Sequence, residues 1–116
     1  MEGELISNHF NLESMKNIKN LEEIKKLFNS LEELYYTNYK SERNNILKST
    51  IMNLLQLIDT NLQNSNQLSK EELSFLYLIK SFSLDKLPEY SKESEESASK
   101  SVRIFLIYNK KKYNIL

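Results

Sequence analysis

Pro88 is the only proline in this sequence and Gly3 the only glycine. Almost nothing in the chain therefore interrupts a helical period, and the apolar residues keep one. From Leu12 they return every third or fourth position: Leu12, Met15, Ile18, Leu21, Ile24, Leu27/Phe28, Leu31 and Leu34/Tyr35, with Tyr39 one turn on. From Leu21 the spacing tightens to 21, 24, 28, 31 and 35. This predicts a helix over residues 12–38, with Glu22 and Lys26 paired on its outer face at i,i+4. The polar stretch "TNYKSERNN" breaks the period, and Ser41, followed by Glu42, is a cap for a new helix. A second stripe follows at Leu47, Ile51, Leu54/Leu55, Ile58 and Leu62, running to about Gln63. Residues 64–67, "NSNQ", have turn chemistry. Two long helices with a short joint predict an antiparallel hairpin.

Ser69 opens a third helix with a capping box, Ser69-Lys-Glu-Glu72. Its apolar positions are Leu73, Leu76/Tyr77, Ile79 and Leu84, with Phe75 and Phe82 on flanking faces, so it needs neighbours on two sides. Pro88 excludes helical geometry at Leu87 and ends this helix. Ser91 is the predicted cap of a fourth, with Glu93, Glu95 and Glu96 near its positive end. Ser94, Ala98 and Ser101 form a small-residue face that allows a close helix approach, and the first large apolar residues are Val102 and Ile104. After Ile104 the composition changes abruptly to "FLIYNKKKYNIL", to which the pattern assigns no structure. The expected fold is all-α with about four helices. Residues 1–11 are expected to be a disordered N-terminus, 12–68 a long helical hairpin, 69–104 a repeat-like helix pair, and 105–116 a tail of uncertain structure.

Composition excludes several function classes. Sixteen basic and sixteen acidic residues cancel, and only Arg43 and Arg103 are arginine. No general field draws nucleic acid or an anionic membrane, so no direct nucleic-acid partner is expected. There is no cysteine, hence no disulfide, thiolate nucleophile or cysteine-ligated zinc. "MEGELISNHF" lacks the basic start of a signal peptide, and no apolar run nears the roughly 20 residues that span a bilayer. The expected setting is cytoplasmic and/or nuclear, with no membrane association. His9, the only histidine, has no catalytic partner nearby and reads as a surface residue. With Gly3 the sole glycine, no phosphate cradle exists. Glu89, Glu93, Glu95 and Glu96 suit a helix start better than a cation site. Lys110–Lys112 beside Tyr108 and Tyr113 are too few for stable membrane attachment. Tyr35, Tyr36 and Tyr39 sit next to Glu32 and Glu33 rather than in the basic groove of a base-stacking platform, so they are assigned to the hairpin core. No catalytic residue, metal, cofactor or small-molecule substrate is expected. The abundance of Asn, Lys, Ile and Tyr reads as coding bias, so an Asn-rich surface needs no functional account.

The stretch 69–104 is about one tetratricopeptide unit long, roughly 34 residues. Within it, "LPEYSKESEESASKSVRI" resembles the first repeat of the tetratricopeptide repeat protein 5 family, the stress-responsive activator of p300. Pro88, Glu89, Tyr90-Ser91, Glu95-Glu96, Ser99-Lys100 and Val102 carry the likeness. "LIKSFSL" is similar to that family's preceding helix, with Ser81 in place of a small residue, usually glycine. "LFNSLEELYYTNY" is similar to its leading helix, so the likeness covers about residues 21–104. Ser94 and Ser101 replace alanines of the family pattern, which makes the helix pair wetter. The family's later repeats and C-terminal β-barrel have no counterpart here, and the change after Ile104 leads us to expect a truncated product or a gene model read into an intron. The resemblance implies repeat-packing roles for Leu73, Leu76, Tyr77, Ser81, Leu84, Pro88, Tyr90, Ser94, Ala98, Ser101 and Val102.

The resemblance also implies a non-enzymatic module that binds a protein or peptide partner. Intact members of the family serve in stress-responsive transcription and in recognising the emerging N-terminus of tubulin at the ribosome. A single repeat does not complete a peptide groove, so little tubulin-peptide affinity is expected. The alternative is a structural hairpin that self-associates through its apolar stripes at 21–35 and 47–62.

Overall fold

A computed structural model of the protein describes residues 10–37 and 43–113; the side chains of Thr37, Arg43, Phe105 and residues 107–113 lie outside that description. Among the described residues there are four α-helices and no strand: α1 (Leu21–Thr37), α2 (Arg43–Leu62), α3 (Lys70–Leu84) and α4 (Ser91–Tyr113). The all-α fold of about four helices is as expected. His9, Tyr39 and the Ser41–Glu42 cap lie outside the described residues.

Helices α1, α2 and α3 surround one apolar core. Ile24, Phe28 and Leu31 from α1, Leu47, Ile51, Leu54 and Ile58 from α2, and Phe75, Leu76, Ile79 and Leu84 from α3 are buried in it. The 21–35 and 47–62 stripes thus supply most of this core, with Leu21, Tyr35, Leu55 and Leu62 half-buried at its edge. Asn61 near the end of α2 bonds Lys19, two residues before the start of α1, so these helices run antiparallel. α3 runs antiparallel to α2: Lys80 of α3 pairs with Asp59 near the end of α2 at 2.9 Å, and Glu89, in the turn after α3, pairs with Lys48 near the start of α2 at 3.6 Å. On α1, Glu22 pairs with Lys25 at 3.3 Å, one residue nearer than the expected Lys26.

Residues 12–20 do not extend α1. They form a short 3-10 turn (Leu12–Ser14) and irregular turns, and Asn20 has φ 61. The left-handed conformation, which asparagine tolerates better than most residues, cannot continue a right-handed helix. The apolar spacing is nonetheless used: Met15 and Ile18 are buried against the body, as is Phe10, which meets Phe75 edge-on at 5.7 Å. Phe10 and Asn11, expected to be disordered, therefore belong to the fold, and Phe75, expected on a flank, is in the core.

The box at the start of α3 forms as predicted: the Ser69 hydroxyl accepts from the Glu72 amide at 3.0 Å, and the Glu72 carboxylate accepts from the Ser69 amide at 2.8 Å. Leu87 is extended, and Pro88–Tyr90 make a 3-10 turn that leads directly into α4. Ser91 already has helical dihedrals (φ −58, ψ −37) rather than those of a cap, because the Pro88 turn has oriented the chain beforehand. α4 continues past Ile104 to Tyr113, so its backbone absorbs most of the segment left unassigned.

Candidate interaction surface

The fourth helix is joined to the body by unusual chemistry. Among the described residues, no side chain of α4 enters the apolar core; the buried ones are Ser94, Ser97 and Ser101. The Ser101 hydroxyl donates to the Ser74 carbonyl at 2.8 Å, the Ser74 hydroxyl reaches the Ser101 carbonyl at 3.1 Å, and the two hydroxyls lie 3.1 Å apart. Two turns away, Ser94 donates to the Ser81 carbonyl at 2.9 Å, with the hydroxyls 3.2 Å apart. Serines seven residues apart on both helices, paired in antiparallel order, bring the backbones close enough for a side chain of one helix to reach the carbonyl of the other. No buried side-chain polar atom among the described residues lacks a partner.

The expected packing residues divide. Leu73, Leu76 and Leu84 are buried, and Ser81, Ser94 and Ser101 form the seam. Tyr90 is half-buried against the core, and Tyr77 is half-buried with the Lys100 ammonium 5.4 Å from its ring centre. Pro88 is exposed in its turn. Val102 does not pack: it is 56% exposed. It lies one position beyond Ser101, about 100° round the helix, so a seam through 94, 97 and 101 turns it to solvent. The same rotation places Ser97 in the seam and leaves Ala98 half-buried at its margin. Sequence reasoning missed Ser74 and Ser97; the seven-residue spacing of Ser74 and Ser81 was the available signal.

The outer face of α4 is consequently open. Ala98, Val102 and Leu106 follow one another at four-residue steps, and with Ser99 and Arg103 they line a shallow depression. Leu106 is 61% exposed. α4 has 23 residues and α3 has 15, a difference of about 12 Å at 1.5 Å per residue, so the last turns of α4 extend beyond the partner helix. At the other end of the molecule the Lys86 ammonium lies 5.3 and 5.8 Å from the ring centres of Tyr35 and Tyr36, within cation–π range.

Among the described residues no group of three or more His, Asp or Glu side chains is placed to hold a metal ion, and no helix is long and apolar enough to cross a membrane. Comparison with protein-family models, curated proteins and solved structures finds no match for the chain.

Proposed function

We propose that this chain is a non-enzymatic protein-interaction module of tetratricopeptide type, acting in the cytoplasm or nucleus, whose outer α4 face receives another polypeptide. The observation that carries this reading is the pair Val102 and Leu106, large apolar residues exposed one turn apart on a helix whose opposite face is already occupied. In stacked helical repeats, the outward face of the last helix is where the next unit packs. The resemblance of residues 21–104 to the stress-responsive activator of p300 supports the same reading.

A photo-crosslinking residue at Val102, compared with one at exposed Gln56 on α2, tests it in cells. A dominant polypeptide adduct is expected at position 102 only, and Leu106→Glu should abolish it. Equal labelling at both positions would overturn the proposal. The nascent tubulin N-terminal peptide, the ligand implied by the resemblance, should show no micromolar binding in a calorimetric titration, because one helix pair does not complete a peptide groove.

A further inference from the structure

We infer that the cleft between the end of α2 and the start of α3 is a peptide-binding groove, and that residues 10–20 are a tethered ligand occupying it. The occupant it would take from a partner protein is a non-helical segment with the arm's own pattern: an aromatic residue, an apolar residue five positions on, asparagine at seven and an apolar residue at eight. This surface is separate from the α4 face, and neither proposal depends on the other.

The contacts are those of a bound peptide. Asn61 Oδ1 accepts from the Lys19 amide at 2.7 Å, and Asn61 Nδ2 donates to the Lys19 carbonyl at 2.9 Å. Both sides of one residue's backbone are thus gripped by one side chain, a contact indifferent to the side chain at position 19. The Glu72 carboxylate takes the Asn17 amide at 2.8 Å and its side-chain Nδ2 at 3.0 Å, and Glu71 takes the Asn11 amide at 3.2 Å. Only Phe10, Met15 and Ile18 are buried as anchors, with Asn11, Glu13, Ser14, Lys16, Asn17 and Lys19 exposed around them.

The gripping groups are also held from the side of the body. Asn61 Nδ2 bonds the Leu57 carbonyl of its own helix at 2.9 Å, and Glu72 is held by the Ser69 amide in the capping box. Each gripping group is thus anchored within the body as well as to the arm, and such preorganisation favours binding. The arm leaves the body at one residue, Asn20, whose carbonyl accepts from the Ile24 amide. The first hydrogen bond of α1 is therefore local to the junction and uses none of the contacts that hold residues 10–19.

The test uses the full chain carrying Phe10→Ala and Ile18→Ala, which releases the arm and leaves Asn61 and Glu72 in place. A fluorescent peptide of residues 10–20 should bind this variant with micromolar Kd. It should bind the unaltered chain at least tenfold more weakly, because the tethered arm competes at high effective concentration. Adding Asn61→Ala should reduce binding at least tenfold. Absence of binding to a folded variant, or binding insensitive to Asn61→Ala, overturns the inference. Should the variant lose its helical circular dichroism, native-state hydrogen exchange on the unaltered chain decides. The Asn17 and Lys19 amides should then open at least 100-fold more often than those of Leu54 and Leu76, and equal protection overturns the groove. A dimer of the unaltered chain that the double variant dissolves would assign the groove to a second copy's arm and overturn the partner reading.

Discussion

Two seams hold this molecule together, and they use different physics. Between α1, α2 and α3 the contact is apolar: Ile24, Leu31, Leu47, Ile51, Leu54 and Ile58 are wholly inaccessible. Burying each such side chain stabilises the fold by about 1.5–3 kcal/mol. Between α3 and α4 the contact is a row of serines, whose hydrogen bonds are worth about 0.5–1.5 kcal/mol each after the exchange with water. The first seam supplies most of the stability. The second supplies register and close approach, since a hydroxyl bonds the opposite carbonyl only at one axial alignment. The contrast predicts that α1–α3 stay folded when α4 is displaced and that the reverse does not hold.

The strongest attack on this contrast is Leu54→Ala, a cavity at the centre of the apolar seam. It should cost about 2–5 kcal/mol and lower the stability of all four helices together, read by urea unfolding with far-UV circular dichroism. Ser94→Leu tests the other side. A bulky side chain forces the close-packed helices apart at about 1–3 kcal/mol, and hydrogen exchange should accelerate across α4 while α2 stays protected. Uniform acceleration in both helices would show that the seams are one cooperative unit.

Glu72→Gln is expected to cost about 1–3 kcal/mol, since it leaves amide donors of Ser69 and Asn17 without a full carboxylate partner. The acid response should follow the same group. Burial, the largest single influence, pushes the Glu72 carboxyl up; the hydrogen bonds from Ser69 and Asn17 together outweigh it and hold it below its ordinary value. A pKa lowered by folding contributes stability above the ordinary glutamate range, which is lost as pH falls through the lowered folded value. The thermal midpoint should fall on that acid side, and Glu72→Gln should flatten the fall. The smallest effect belongs to Ser101→Ala, about 1 kcal/mol. Combined with Ser74→Ala it should cost less than the two single changes added, with a coupling of about 0.5–1 kcal/mol; strict additivity would sever the proposed pairing.

The features legible in the sequence are local ones. The box at Ser69 and Glu72 formed because its two partners are three residues apart, and the stripes at 21–35 and 47–62 became core faces because helical spacing alone aligns them. The break at Leu87-Pro88 followed from a steric clash between neighbours. What was misread depended on distant residues. The period from Leu12 to Ile18 looked helical, yet an irregular arm uses the same spacing once Asn20 turns left-handed and Asn61, 42 positions from Lys19, holds the backbone. Asparagines dismissed as coding bias, Asn17, Asn20 and Asn61, hold that arm in place.

The sequence by itself determined the helical class, two apolar stripes and the proline joint, since these arise from each residue's immediate neighbours. Tertiary structure alone decided that α4 docks through Ser94, Ser97 and Ser101, with Val102 outward, and that Glu72 serves both its own helix and the arm. The rotation of a helix about its axis, and the second partner of a carboxylate, depend on surfaces that only the folded chain brings together.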